Sequence, residues 1–232
     1  MIKILLMRHG QAQFGHADYD HLSPNGFLQA RRVADAMYES GEIPDIIASG
    51  SLKRQRQTAE QLLDRLGDDL TYQCMPWLNE LDSGQLIRHY GASVFQTETR
   101  QSIELSEVTR ESFPYVLKQL ITRWHADEQC PFESFKQFKA RIIQGLELLT
   151  SSCHQGSSQA NTTILLVTSG GVIASVIQHL QQLNLEQLLD NALKLRNASI
   201  TEILIDQKEW TLGRVNWLPE RIEGNNELVT VL

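Results

Sequence analysis

Ile4-Leu5-Leu6-Met7-Arg8-His9-Gly10-Gln11-Ala12 is the stretch that decides the reading of this chain. A short apolar run stops at an Arg-His-Gly triplet. A run of this length with polar flanks reads as a strand buried on both faces. In an open α/β sheet, ligand chemistry gathers where strands end and loops begin. Arg8 and His9 at such a place offer a fixed cation and an imidazole that can act as nucleophile or proton carrier.

Downstream, strand and helix signals alternate. Ser23-Pro24 supplies a helix cap and a first-position proline. Phe27, Ala30, Val33, Ala34 and Met37 follow at helical spacing, and Gly41 and Pro44 end that helix. Residues 45–49 read as a second buried strand. A helix follows over about 53–66, with Ala59, Leu62, Leu63 and Leu66 on one face, and residues 70–75 form a weaker third strand. The stretch 79–131 carries no strong strand and one helix near 112–125, with Phe113, Val116, Leu117, Leu120, Ile121 and Trp124 as its stripe. It reads as a lid or excursion covering the sheet edge or the site. Phe132, Phe135, Phe138, Ile142, Leu146 and Leu149 recur at helical spacing. A loop is expected over 151–162. Residues 163–168 form the clearest buried strand, Gly170-Gly171 open another helix, and strands near 200–206 and 209–215 pair as a hairpin. This alternation predicts an α/β fold, a three-layer αβα arrangement around a mostly parallel sheet, as one domain over 1–232.

Composition excludes several classes. A chain of 232 residues with 41% hydrophobic and 21% charged residues is long enough to bury a real core. A net charge of -7, with no compensating Lys/Arg run, argues against a nucleic-acid partner. The three cysteines (Cys74, Cys130, Cys153) are widely spaced and odd in number, which predicts neither a disulfide framework nor a CxxC metal site. The first apolar run is too short for a signal-peptide core and is ended by Arg8. No stretch reaches the ~20 apolar residues of a membrane span. The expectation is a cytoplasmic protein with no membrane partner. No pattern sets an association state.

Four strand ends carry groups that suit one chemistry. The first holds Arg8 and His9; the second leads to Ser51-Leu52-Lys53-Arg54 at a helix start, then Gln57-Thr58-Ala59-Glu60. After the third comes Leu78-Asn79-Glu80, and the fourth ends in Thr168-Ser169-Gly170-Gly171 at another helix start. Arginine matches a phosphate with two parallel hydrogen bonds, and helix N-termini add free N–H groups. Phosphoryl transfer is mostly positioning and charge stabilisation, so the set fits it.

These motifs, in this order, resemble the histidine phosphatase superfamily, with its phosphoglycerate-mutase-like fold. The triplet is Arg8-His9-Gly10. An LxxxGxxQA helix start is met by Leu22, Gly26, Gln29 and Ala30. SxLxRxxQTA is met by Ser51, Leu52, Arg54, Gln57, Thr58 and Ala59, and LxE by Leu78-Asn79-Glu80. The strand–glycine turn at 164–171 and the segment 197–201 also fit. The resemblance implies that His9 attacks phosphorus and carries a phosphohistidine. It further implies that Arg8 and Arg54 clamp phosphoryl oxygens, and that Glu80 protonates the leaving group and then activates water, with Asp82 as a competing acid. Ser169, Gly170 and Gln11 would contact the phosphate or substrate. No metal or other cofactor is implied, since the arginines supply the charge.

One position departs from the family pattern. Where the family usually has Ser-His-Gly-Gly, this chain reads Thr168-Ser169-Gly170-Gly171. Serine donates a hydrogen bond but carries no positive charge. Loss of one such donor costs about a hundred- to a thousandfold in rate. His16, His21, His89 and His125 are candidates to supply the missing contact. The leading expectation is a phosphomonoesterase, working or weakened, on a small phosphorylated substrate or a phosphoprotein. The alternative is a phosphate-ligand-binding member that no longer turns over. A phosphoglycerate mutase is third, because the chain runs Gly10-Gln11-Ala12-Gln13-Phe14-Gly15 where mutases commonly have Gly-Glu-Ser-x-Trp-Asn.

Overall fold

The computed structural model describes residues 1–13, 20–67, 70–95, 111–156, 161–207 and 209–231. They form two compact units, Met1–Glu80 with Ile142–Leu232, and Leu81–Arg141.

The larger unit is built on a six-stranded sheet. Its strands are β1 (Ile2–Arg8), β2 (Ile46–Ser49), β3 (Thr71–Cys74), β4 (Thr162–Thr168), β5 (Ile200–Asp206) and β6 (Glu209–Leu212), in spatial order β3-β2-β4-β1-β5-β6. β1 runs parallel to β4, with Arg8 level with Thr168, and antiparallel to β5. Around the sheet lie α1 (Pro24–Ser40), α2 (Lys53–Leu66), α6 (Gly170–Gln181), α7 (Leu185–Lys194) and α8 (Glu220–Glu223). The α/β class, with helices layered around a mostly parallel sheet, is as the sequence predicts.

Alternation along β1 explains the layering. Leu5 and Met7 point to one face, where they pack with Val33, Ala34 and Met37 of α1 and Ala59, Leu62 and Leu66 of α2. Ile4 and Leu6 point to the other face and are equally buried. α6 touches β1 and β6. Each such side chain taken from water contributes about 1.5–3 kcal/mol. The expected caps are in place. Ser23 Oγ accepts the Gly26 N–H at 3.1 Å, and Gly41 closes α1 in the left-handed region at φ 70°.

The topology sets the place for a site. From β1 the chain passes by α1 to β2, on one side of β4; from β4 it passes by α6 and α7 to β5, on the far side of β1. The two connections diverge at the β1/β4 boundary. Such a switch point leaves a crevice beyond the strand ends, and His9 and Ser169 follow those two ends directly.

The smaller unit contains α3 (Ser83–Phe95), α4 (Phe113–Ala126) and the start of α5 (Phe135–Gly156). Its core holds Leu86, Tyr90, Leu120, Trp124 and Phe138. Trp124 donates its indole N–H to the Glu133 carbonyl at 2.8 Å.

Three expectations need correction. The stretch 79–131 holds two helices among its described residues, not one. α3 starts where Asp82 accepts the Gln85 N–H at 2.9 Å, a cap that the glycines at 84 and 91 mask in the sequence. The loop expected from 151 begins later, because α5 runs to Gly156. Within it the Ser151 and Ser152 hydroxyls are satisfied by the Glu147 and Leu148 carbonyls (2.7 and 2.9 Å), so these polar residues do not compete for the backbone of a loop. The last strand stops at Leu212 rather than 215, and α7, between α6 and β5, is additional to the elements read from the sequence.

Candidate active site

The site is assembled within the larger unit, from the loops that follow β1, β2 and β4 and the segment after β3. The backbone of the Arg-His-Gly turn is pinned first. His9 N–H bonds the Thr168 carbonyl at 2.9 Å, and Gly10 N–H bonds Thr58 Oγ1 at 3.1 Å. Gly10 lies so close to the start of α1 that a Cβ on it would be 2.3 Å from the Gly26 carbonyl oxygen. A Cβ on Gly26 would be 2.2 Å from the Gln11 carbonyl oxygen. Two backbones touch here, and only glycine fits either side.

The imidazole of His9 is 5% exposed. Nδ1 lies 2.7 Å from the Gly10 carbonyl, which can only accept, so Nδ1 carries the proton. Arg54 Nε–H, which can only donate, points at Nε2 from 3.0 Å. The two contacts together fix a neutral ring with its lone pair on Nε2. Burial pushes the His9 pKa well below the ordinary histidine value. The positive charges of Arg54 and Arg8 push it the same way, and the Gly10 bond opposes them.

Arg54 is anchored from behind. Its Nη1 donates to Asp20 Oδ1 at 2.7 Å, and Asp20 Oδ2 also accepts the Lys53 N–H at 2.8 Å at the start of α2. Arg8 is held through Nη1 by the carbonyls of Leu195 and, at 2.6 Å, Val231. Both guanidinium groups act electrostatically on His9.

Glu80 reaches the start of α6. Its Oε2 accepts the Gly171 N–H at 2.8 Å, and a Cβ on Gly171 would be 2.2 Å from Oε1. The loop carrying Glu80 is tied down because the Leu78 carbonyl accepts from Thr168 Oγ1 (2.6 Å) and Gln55 Nε2 (3.1 Å). Ser169 is buried. Its hydroxyl accepts from Gln55 Nε2 at 2.9 Å and makes no cap on its own helix. Next to it, Gly170 faces Arg8, with a Cβ there falling 3.7 Å from Nε. Gln11 is buried beside the turn; its backbone N–H donates to Gln29 Oε1, and its side-chain Oε1 accepts from the Ser23 hydroxyl at 3.0 Å.

His9, Arg8, Arg54, Glu80, Ser169, Gly170 and Gln11 thus all belong to one unit and adjoin the same strand ends. Of the histidines considered for the missing contact, His21 is engaged by its own neighbours, the Leu22 carbonyl (2.9 Å) and the Gln57 amide (3.0 Å). His89 and His125 belong to the smaller unit, in ring contact with Tyr90 and Phe135. His16 lies outside the described residues. Among the described residues, no group of three or more His, Cys, Asp or Glu side chains is placed to hold a metal ion. No helix among them is long and apolar enough to cross a membrane.

Sequence reasoning missed Asp20 and Gln55. Asp20 has no periodic signal and is found only through the fold. Gln55 did have one: it shares the buried face of α2 with Ala59, Leu62 and Leu66, where a polar residue needs a reason.

Comparison with known proteins agrees with this architecture. The chain is 27% identical over 202 residues to a 2,3-bisphosphoglycerate-dependent phosphoglycerate mutase from Leifsonia xyli, covering 76% of each chain. It is 26% identical over 209 residues to a phosphoglycerate mutase from Candida albicans, covering 81% of each. Its fold is similar to that of a mycobacterial glucosyl-3-phosphoglycerate phosphatase in complex with inorganic phosphate. There the TM-score is 0.62 at 24% identity, covering 93% of this chain and 97% of the other. The sequence profile of the histidine phosphatase superfamily, branch 1, matches residues 4–218, and the chain belongs to that family.

Proposed function

We propose that the protein is a phosphomonoesterase that works through a phosphohistidine on Nε2 of His9. The observation that carries this reading is the tautomer: Nδ1–H is fixed on the Gly10 carbonyl, and the ring is held neutral with its lone pair on Nε2. A nucleophile must be unprotonated, and this one is so by construction.

The reaction runs in two displacements. A phosphoryl group in line with Nε2 takes over the Arg54 N–H that Nε2 now accepts. Nε2 donates its pair to phosphorus, and the bond from phosphorus to the leaving oxygen breaks. That oxygen takes a proton from Glu80. Water then attacks phosphorus, Glu80 takes a proton from it, and the phosphorus–Nε2 bond breaks to release inorganic phosphate and the neutral ring. Arg8 and Arg54 carry the charge of the transferring group, so the reading needs no metal ion. Glu80 is suited to both proton steps because the same loop anchors hold it for each.

Hydrolysis is favoured over mutase activity. A mutase must retain a doubly phosphorylated intermediate, and here Arg54 is already partnered by a carboxylate, Asp20. The substrate class is a small phosphomonoester or a phosphoprotein. The test is hydrolysis of p-nitrophenyl phosphate by the wild type and His9→Ala, with vanadate binding measured on both. Turnover lost in the variant supports the proposal. Equal rates refute it, and vanadate binding without turnover in the wild type leaves a phosphate-binding protein. Phosphoglycerates should be hydrolysed or ignored, not isomerised.

A further inference from the structure

We infer that Gln55 is a positioning residue that aims the Ser169 hydroxyl, as a hydrogen-bond donor, at an oxygen of the bound phosphoryl group. The inference rests on the phosphoryl site proposed at His9.

The direction of the hydroxyl follows from its neighbours. Gln55 is fully buried, and its Nε2 lies 3.1 Å from the Leu78 carbonyl and 2.9 Å from Ser169 Oγ. The Leu78 oxygen can only accept, so the amide nitrogen must face it, and Ser169 Oγ is then the acceptor of the second N–H. The proton of Ser169 is left to point elsewhere. Among the described residues no acceptor receives it.

Two features show that this arrangement is held against local preference. Serine preceding a helix ordinarily turns its oxygen onto the free N–H groups of the first turn. Ser169 stands at that position of α6 and makes no such bond, and Glu80 takes the Gly171 N–H instead. The Gln55 carbonyl oxygen is buried without a hydrogen-bond partner, a cost that native structures accept only for a reason. Room for it comes from Gly50, where a Cβ would be 2.0 Å from that oxygen.

The placement suits a phosphoryl donor. Ser169 follows the strand end level with Arg8. Gly170 beside it faces the Arg8 guanidinium, and Gly171 carries Glu80. A hydroxyl whose oxygen is pinned by an amide is a pre-oriented neutral donor, where the family pattern has an imidazole. The pair therefore sustains binding and transfer without adding a titrating group at this position.

The experiment is a double-mutant cycle on Ser169→Ala and Gln55→Leu, with Gln55→Met as a second probe of the same position and Ser169→Thr as the variant that keeps the hydroxyl. Turnover of p-nitrophenyl phosphate and affinity for orthovanadate are both read, with thermal unfolding as the check on folding. Ser169→Ala should lower kcat roughly a hundredfold, as removal of one transition-state donor does. Gln55→Leu and Gln55→Met should lower it about tenfold alone and less than about twofold once Ser169 is alanine, since the two act as one unit. Ser169→Thr should keep most of the rate. Additive losses in both readouts overturn the inference and leave Gln55 acting on Leu78 and Glu80. If His9→Ala matches the wild type in turnover while the vanadate cycle is non-additive, the phosphatase reading falls and the aimed hydroxyl stands.

Discussion

Gly171→Ala separates the proposed acid from the rest of the machinery. The new Cβ would sit 2.2 Å from Glu80 Oε1 and 3.0 Å from its Cδ, so the carboxylate must leave the start of α6. The clash is with the end of a flexible side chain, so the fold should tolerate it. The loss is the 2.8 Å bond from the Gly171 N–H to a charged oxygen, a class worth about 1.5–3 kcal/mol. Replacing glycine by alanine within a helix returns up to about 1 kcal/mol. The net cost is then about 0.5–3 kcal/mol, small enough to leave a folded protein near room temperature. The kinetic effect depends on the leaving group. The value of kcat/KM reports steps through formation of the phosphohistidine. p-Nitrophenolate leaves without help near neutral pH, whereas an alkoxide needs a proton. An aryl phosphate should therefore lose less than about tenfold in kcat/KM, and an alkyl phosphate about a hundred- to ten-thousandfold, the range of general acid catalysis. The assay is a pair of steady-state measurements on both substrates, with circular dichroism melts alongside. Equal losses on the two substrates would refute the assignment of Glu80 as the acid.

Three further outcomes follow from the geometry. Gly10→Ala places a Cβ 2.3 Å from a backbone oxygen that cannot move aside, so it should cost several kcal/mol and abolish folded protein, read as loss of the cooperative melt. His9 is held neutral in the folded state and titrates near 6.5 when unfolded, so the unfolded chain binds the extra proton. The stability from this residue is present above about pH 6.5. It is lost as pH falls below that value toward the lower native pKa, at up to about 1.4 kcal/mol per pH unit. Nitrogen-15 spectra should find Nδ1 protonated and Nε2 bare at pH 6, and a ring half-titrated at 6.5 contradicts the burial argument. Asp20→Asn should tighten vanadate binding severalfold while lowering kcat, because Arg54 loses both a competing carboxylate and its anchor. Parallel weakening of both contradicts that account.

The parts of the molecule legible in the sequence are those with a local cause. Ser23-Pro24 and Gly41 bound α1 as capping chemistry requires, and the apolar run 4–7 is a central strand because both its faces are covered. Arg8 and His9 were legible because they stand at the end of a strand, and Arg54 because it opens the helix after one. α7 went unread although Asn184 and Gln187 form a reciprocal cap, each side chain bonding the other's N–H (2.9 and 3.0 Å). Leu185, Leu188, Leu189 and Ala192 also stand at helical spacing, so its signal is present in the sequence but confined to a segment of only ten residues. Asp20 was illegible for a different reason. Its partner Arg54 is brought to it by packing of α1 against α2, and no spacing along the chain encodes that meeting.

The cationic groups of the site share one feature that bears on affinity. Arg8 already serves two carbonyls, Arg54 serves Asp20 and the His9 lone pair, and the start of α6 serves Glu80. On the proposed phosphatase reading, an incoming phosphoryl group exchanges with these internal acceptors. Exchange keeps each donor oriented beforehand, which favours rate, and it subtracts the strength of the displaced bond from binding. The displaced acceptors differ in kind. Carbonyls and an imidazole nitrogen are weaker partners for a guanidinium than a carboxylate is. Of the guanidinium contacts, the Asp20 ion pair should therefore weigh most against phosphate binding. Its removal should raise affinity, whereas moving Glu80 should change proton transfer and leave affinity for the tetrahedral anion within about twofold of the wild type.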